Sequence, residues 1–457
     1  MTLERLPDAI LRIVVQFATG TLLQVLKLQS INKYFQRVLH HSNKLSHVDV
    51  KLNDFGDVRR LGGMTAGIRT LTLRSLPRLD SFVSLLGLRS LDLSYGCFTA
   101  EHFDLSALVH LSSLKIEFCS NLQHATRLPV SLRDLTARGC ASLLSLPPAL
   151  PKLVSLNVRH CHRLSAVPSA PCLITLDVMH CPATLGPMPS LCAIKARQSD
   201  HYPLSMYTSM HSLKLVECTF PHTDFLAALT QLTTLSLKLP KTHLAFDLTG
   251  VSGLRLLENL ELEGPLSDEH LKSLEPLGSL QSFILCSTKM TDDGMRSVAK
   301  LQGLTALGLS CSFASGFSHS GLRHLTLPRL KTMNLFGCDM TDLESLQGLE
   351  NLETLVVFSS YRLHDLQHVS KLRKLNTLKL AYCDAVTGLS GLNQAPSLSN
   401  VDVSHCWDLR REGLWSLFPC KLSELVLNAH ARAQLRDEVP EFHRRLAEGN
   451  PHAKLIF

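Results

Sequence analysis

The residues of this sequence with the most chemical reach are its 14 cysteines and 22 histidines. Thiolates and imidazoles bind metals, attack electrophiles and move protons, so their spacing decides which chemistry is open. No CxxC pair occurs, and Cys–His neighbours such as Cys161-His162 lack metal-site spacing. There is no Gly-rich phosphate loop, no HExxH and no G-x-S-x-G. The remaining His and Asp residues are scattered. No catalytic constellation, metal or cofactor is therefore expected. What the cysteines have instead is a period. Nine recur at a turn position: Cys97, Cys119, Cys140, Cys161, Cys181, Cys218, Cys338, Cys383 and Cys406. The others are Cys172, Cys192, Cys286, Cys311 and Cys420.

The period belongs to a longer pattern. LVSLNVRHC (153–161) reads L-x-x-L-x-L-x-x-C, with LRDLTARGC (132–140) before it and LITLDVMHC (173–181) after it. Eighteen copies start at 45, 68, 88, 111, 132, 153, 173, 191, 210, 232, 257, 280, 304, 330, 352, 375, 398 and 422, at spacings of 18 to 26 residues. The fourth and sixth positions, such as Leu156 and Val158, alternate onto one face of a short strand. One strand cannot bury that face alone, so copies must stack and share a core. The ninth position turns the chain, and its side chain can hydrogen-bond the backbone of a neighbouring copy. A thiol suits it, being a weak donor on a small apolar body. The pattern resembles the leucine-rich repeat family, in its cysteine-containing and F-box-linked form. The resemblance implies an α/β leucine-rich-repeat solenoid, a horseshoe of about 18 repeats. The ladder cysteines are then core residues. Their unpaired spacing points to a reducing compartment.

The totals agree with such a stack. Hydrophobic residues make up 45% of the chain and aromatics only 6%, which fits a Leu-dominated repeat. The net charge of +7 is mild, and no Lys/Arg block stands out, so nucleic acid is not implied. Arg5, Asp8 and Arg12 interrupt the N-terminal apolar run, and no run reaches the ~18 residues of a membrane span. The expected setting is intracellular, cytoplasmic or nuclear, without a membrane contact.

Residues 1–42 lack the repeat. Pro7 suits a first helical turn, and Ile10, Leu11, Val14 and Phe17 then recur at helical spacing. Leu22, Leu23, Val25 and Leu26 form a second apolar set, and Ile31, Tyr34, Phe35 and Val38 a third. Three short helices with little internal core must bury their faces on something else. This segment resembles an F-box through Leu6-Pro7-Asp8, Ile10-Leu11, Val14, Phe17, Leu22-Leu23 and SINKYFQRVL (30–39). Ala9 stands where an acid is common, Asn32 where Cys is usual, and Phe35 where Trp is usual. The resemblance implies that Leu6, Pro7, Ile10, Val14, Leu22 and Phe35 face a Skp-type adaptor. The alternative is a helical cap that shields the first repeat.

Residues 43–430 carry the solenoid, whose first copy reads LSHVDVKLN (45–53). Copies from 132 to 191 are short with Pro-rich backs, such as LPPALP (146–151), which should be extended. The copy at 191 is weak, and irregular geometry is expected around HYPLSMYTSM (201–210). From 257 the spacing lengthens, and SDEHLKSL (267–274) and TDDGMRSVAKL (291–301) have the form of capped short helices. Residues 431–457 should form a capping helix through Leu435, Phe442 and Leu446, then a last strand at 454–457.

The third, fifth and seventh positions of each strand should line a concave face open to solvent, with the eighth at its margin. Same-column residues are neighbours there, ~4.8 Å apart. Arg138, Arg159, Arg197 and Lys238 in the seventh column, with Lys195 and Lys214 in the fifth, form a basic cluster with Asp177 as its only acid. It suits an acidic protein partner. Phe336, Val356, Phe358 and the marginal Tyr382 form an apolar cluster suited to anchoring a partner. His160 and His180 stack in the eighth column as surface residues. With the F-box resemblance, the implied function is that of a substrate receptor in a Skp–cullin–F-box ubiquitin ligase, with the chemistry left to other subunits. The alternative is a non-catalytic scaffold subunit of a large assembly.

Overall fold

The computed structural model describes residues 69–73, 86–99, 103–197, 203–217, 222–240, 247–311 and 316–457, with backbone alone at 50–52 and 311. The F-box-like segment, with Leu6, Pro7, Ile10, Val14, Leu22 and Phe35, lies outside the described residues, as does Cys218. The chain divides into two compact units, Met1–Met210 and His211–Phe457. The division falls where the repeat pattern weakens.

The first unit contains β1 (Val50–Leu52), β2 (Thr70–Leu73), β3 (Ser90–Asp92), β4 (Ser113–Lys115), β5 (Asp134–Thr136), β6 (Ser155–Asn157), β7 (Thr175–Val178) and β8 (Ala193–Arg197). Each pairs in parallel with the next. The second contains β9 (Ser212–Val216), β10 (Thr234–Lys238), β11 (Asn259–Gly264), β12 (Ser282–Ser287), β13 (Ala306–Cys311), β14 (Thr332–Phe336), β15 (Thr354–Phe358), β16 (Thr377–Ala381), β17 (Asn400–His405), β18 (Glu424–Val426) and β19 (Lys454–Ile456). They too pair in parallel, each with its successor. Each of the eighteen copies supplies one strand, and β19 follows them. The fold is a leucine-rich-repeat solenoid.

Register follows the apolar pattern. Leu135, Leu156 and Leu176 pair in one column and Leu355, Leu378 and Val401 in another. All six are 0–2% exposed, so the fourth-position side chains lie in the core. The first copy departs from the expectation. Val50 pairs with Leu71 and Leu52 with Leu73, so the copy starts at 47 rather than 45. In HVDVKL the apolar residues alternate three times, and a shift of two keeps them on the same face.

The backs of the copies differ. In the short copies, bridges His124↔Ser145, Ala149↔Ser169 and Ala166↔Thr184 mark extended segments, as their prolines require. In the second unit, helices Asp268–Lys272, Gly294–Val298 and Arg411–Trp415 back three copies, while 3-10 turns such as His319–His324 and Gln367–Lys371 back others. Asp268 ties one back to the next, accepting from the Thr291 N–H at 2.9 Å and its hydroxyl at 2.6 Å. Asp292 repeats this with the Ser318 N–H and hydroxyl, both at 2.7 Å. The C-terminal stretch holds two helices rather than one, Ala429–Leu435 and Val439–Gly449, with Phe442 and Leu446 buried. Strand β19 then pairs with β18.

Candidate functional site

The strand face gains its character at the eighth position of each copy. Tyr95, Phe118, His160, His180, Glu217, Ser359 and Tyr382 there have φ between 54° and 64°, and Gly139 and Gly337 have φ of 75° and 64°. This left-handed residue ends the strand. Its N–H still continues the ladder: Phe118 donates to Arg138 O and His160 to Met179 O, each at 2.8 Å. The side chain is thereby held on the rim of the face. Gly139 keeps the column open, since a Cβ there would stand 2.5 Å from Phe118 Cδ1.

The ninth position locks the turn. The thiols of Cys119, Cys140 and Cys161 donate to Leu93 O, Ile116 O and Ala137 O, at 3.4, 2.8 and 3.0 Å. Cys383 and Cys406 do the same to Val357 O and Leu380 O, at 3.7 and 3.5 Å. Each acceptor is the sixth residue of the preceding copy, so each thiol stitches two copies together. Cys97 does not belong to this ladder. It is exposed, because Gly96 holds the ninth position and Phe98 fills the core beside it.

In the first unit the rim carries stacked rings and guanidinium groups. Tyr95 stacks on Phe118 at 5.2 Å and 15°, and the Arg138 guanidinium lies 5.7 Å from the Phe118 centroid. Arg159 Nε donates to His160 Nε2 at 3.2 Å. His160 and His180 stack at 4.5 Å and 15°, and Arg197 Nη1 donates to His180 Nδ1 at 2.5 Å. Burial, then the Arg159 charge, holds the His160 imidazole below its usual range; for His180 the causes are burial and Arg197. Arg138 and Lys195 are exposed, Arg159 and Arg197 half-buried. The acid among them, Asp177, accepts the Met179 N–H at 3.1 Å.

Lys214 and Lys238 belong to the second unit and do not extend an unopposed basic patch. Lys238 Nζ lies 2.6 Å from Glu263 Oε2 and 3.5 Å from Glu261, while Lys214 lies 3.5 Å from Glu261. The Glu263 hydrogen bond raises the Lys238 pKa. Burial works against ionisation of Glu261, yet the Ser236 hydroxyl and both lysines hold its carboxyl below the usual range. The neutralising acids come from the copy at 257, one strand beyond the sequence cluster.

Further along the second unit runs an aromatic rail. Phe336 and Phe358 lie 5.8 Å apart, Phe358 meets Tyr382 edge-on at 4.9 Å, and Tyr382 stacks on His405 at 5.1 Å and 14°. Phe336 is 40% and Tyr382 39% exposed. Val356, half-buried, sits in the adjacent column opposite Asn334. Sequence reasoning missed Tyr95, Phe118 and His405. Reading the eighth column alone finds all three.

Among the described residues no group of three or more His, Cys, Asp or Glu side chains is placed to hold a metal ion. No helix among them is long and apolar enough to cross a membrane.

No protein-family model matches the chain, and no curated protein matches it. Among solved structures, an internalin from Listeria monocytogenes is similar at 21% identity and TM-score 0.42, over 74% of this chain and 88% of its own. A leucine-rich-repeat protein of Leptospira interrogans is similar at 16% identity and TM-score 0.43, over 89% of this chain and 100% of its own. The assignment of this chain to the leucine-rich-repeat fold rests on its own strand register and buried columns.

Proposed function

We propose that this protein is a protein-binding repeat module whose second unit grips an apolar segment of a partner. The observation that carries it is the rail Phe336–Phe358–Tyr382–His405, four ring-bearing residues of consecutive copies in mutual contact on the solvent side of the strands. The core lies on the other side of the sheet, so packing within the copy does not require rings here. Rigid aromatic anchors grouped in one patch are the usual source of interface energy. Replacing both Phe336 and Phe358 by Ala should lower affinity for an apolar-segment partner at least tenfold, about 1.4 kcal/mol or more. The melting temperature should stay within a few degrees. Unchanged partner affinity would remove the rail from the function.

The finer form of the proposal is a substrate receptor of a Skp–cullin–F-box ubiquitin ligase. It is supported by the F-box resemblance of residues 1–42 directly before a repeat array. Ile10 and Val14 are spaced i, i+4 in the sequence; if they face the adaptor, Ile10→Asp with Val14→Asp would put two charges into a desolvated contact at several kcal/mol. Binding of a Skp-type adaptor at micromolar concentration should vanish in the double variant while the repeats stay folded. If the wild-type chain binds no such adaptor, the receptor proposal fails. If the double variant unfolds the neighbouring repeats, the segment is a cap, and the scaffold alternative replaces the receptor.

A further inference from the structure

A guanidinium only donates hydrogen bonds. His160 Nε2 and His180 Nδ1 therefore each offer a lone pair where Arg159 and Arg197 meet them. Both rings are neutral in this arrangement, with the proton on the other nitrogen. The charges that act most on the pair are those of Arg138, Arg159, Arg197 and His162, opposed at His160 by the Asp177 carboxylate. Lys195 lies on the next strand, paired in register with Asp177. Protonating either ring in the free protein removes a hydrogen bond and adds a charge among like charges. Burial and the guanidinium neighbours accordingly hold both imidazoles below their usual range.

We propose that an acidic peptide segment of a partner protein, rich in Asp or Glu, docks on this face across Arg138, Arg159, Lys195 and Arg197, and that docking takes up protons at His160 and His180. Carboxylates draw Arg159 and Arg197 into charge-assisted pairs. The ring nitrogens these arginines leave are then free to bind protons, and each imidazolium gains an anion to face. The cations run from the end of β5 to the end of β8, three strand steps or about 14 Å, a span of four to five residues of extended peptide at ~3.3 Å each. A peptide fits better than a nucleic acid. The Tyr95 and Phe118 rings turn their faces to each other, so neither offers both faces to stack between bases.

Because this proposal rests on reading the strand faces as partner surfaces, its test uses the first unit's residues alone. The full chain is titrated calorimetrically with a hexaglutamate peptide at low salt, near pH 7.5 and near pH 6, in two buffers of different ionisation enthalpy. The expected result is net proton uptake and affinity about tenfold higher at the lower pH. His160→Asn with His180→Asn, a residue that tolerates the left-handed backbone, should bind with little pH dependence. Arg138→Ala with Arg159→Ala should lose about tenfold or more at both pH values. No peptide binding, binding without proton uptake, or tighter binding of a single-stranded oligonucleotide would each overturn the proposal. If the histidine variant melts early, the wild-type proton count decides alone. The Phe336→Ala and Phe358→Ala variant should leave the peptide isotherm unchanged, so failure here and failure of the apolar-partner proposal are separate results.

Discussion

Cys140 donates its thiol proton to Ile116 O at 2.8 Å, and Cys119, Cys161, Cys383 and Cys406 make the same bond in their copies. A buried carbonyl that loses its partner costs about 1–3 kcal/mol, so these weak donors matter. Burial also pushes the Cys161 thiol up to about 12 and the Cys181 thiol up to about 11. Thiolate is the reactive form. Alkylation without denaturant should therefore label the exposed Cys97 and Cys172 quickly and leave Cys140, Cys161 and Cys338 untouched until unfolding. Mass spectrometry of labelled peptides checks this, and rapid labelling of Cys161 would remove it from the core. Ser360 is the instructive exception. It takes the ninth position of its copy, is 1% exposed, and its hydroxyl lacks a partner. Ser360→Cys should stabilise the protein by about 1 kcal/mol, read as a rise in melting temperature.

At the scale of one copy, the strand, the left-handed eighth residue and the ninth-position thiol act together. The turn holds its residue at the rim, and parallel pairing brings successive rims close enough to stack. That is how His160 and His180 come to lie 4.5 Å apart, though 20 residues separate them in the chain. The stack makes stability depend on pH. An unfolded imidazole titrates near about 6.5, and both folded rings titrate lower. As pH falls through that window the unfolded chain binds more protons, so the contribution is full above about pH 6.5 and is lost below it. The melting temperature should fall between about pH 7 and pH 5, and fall less in the His160→Asn, His180→Asn variant. An equal fall in both proteins would assign the pH dependence to other groups.

At the scale of the molecule, each strand touches its two neighbours and little else, as solenoids do. A core truncation should therefore act locally. Leu378, fully buried on β16, pairs with Leu355 on β15 and Val401 on β17. Leu378→Ala should cost ~2–5 kcal/mol through lost burial and the cavity left behind. Amide exchange should accelerate most in β15, β16 and β17. Loss of protection spread evenly over all the strands would mean a cooperative core larger than nearest-neighbour stacking provides.

The repeat period by itself determined the fold, because a strand with Leu156 and Val158 on one side is stable only against copies of itself. The burial of both residues, at 1% and 0%, follows from that pattern. The same holds for the extended Pro-rich backs and for the helices at Asp268–Lys272 and Gly294–Val298, where the chemistry is local. Period-two patterning left the first strand's register open, since HVDVKL buries one face equally well after a shift of two residues. Likewise Cys97 sits one place beyond a glycine, and one residue of offset decides between core and solvent. The surfaces were legible as columns but not as charges or contacts. Lys214 and Lys238 fall in a basic column, yet Glu261 and Glu263 reach back to them from the following strand. Whether a charge is neutralised depends on side-chain reach across strands, which a column of letters does not encode. The eighth column places Tyr95, Phe118 and His405, but their ring stacking, at 5.2 Å for Tyr95–Phe118 and 5.1 Å for Tyr382–His405, is decided by the parallel pairing of successive copies in the tertiary structure.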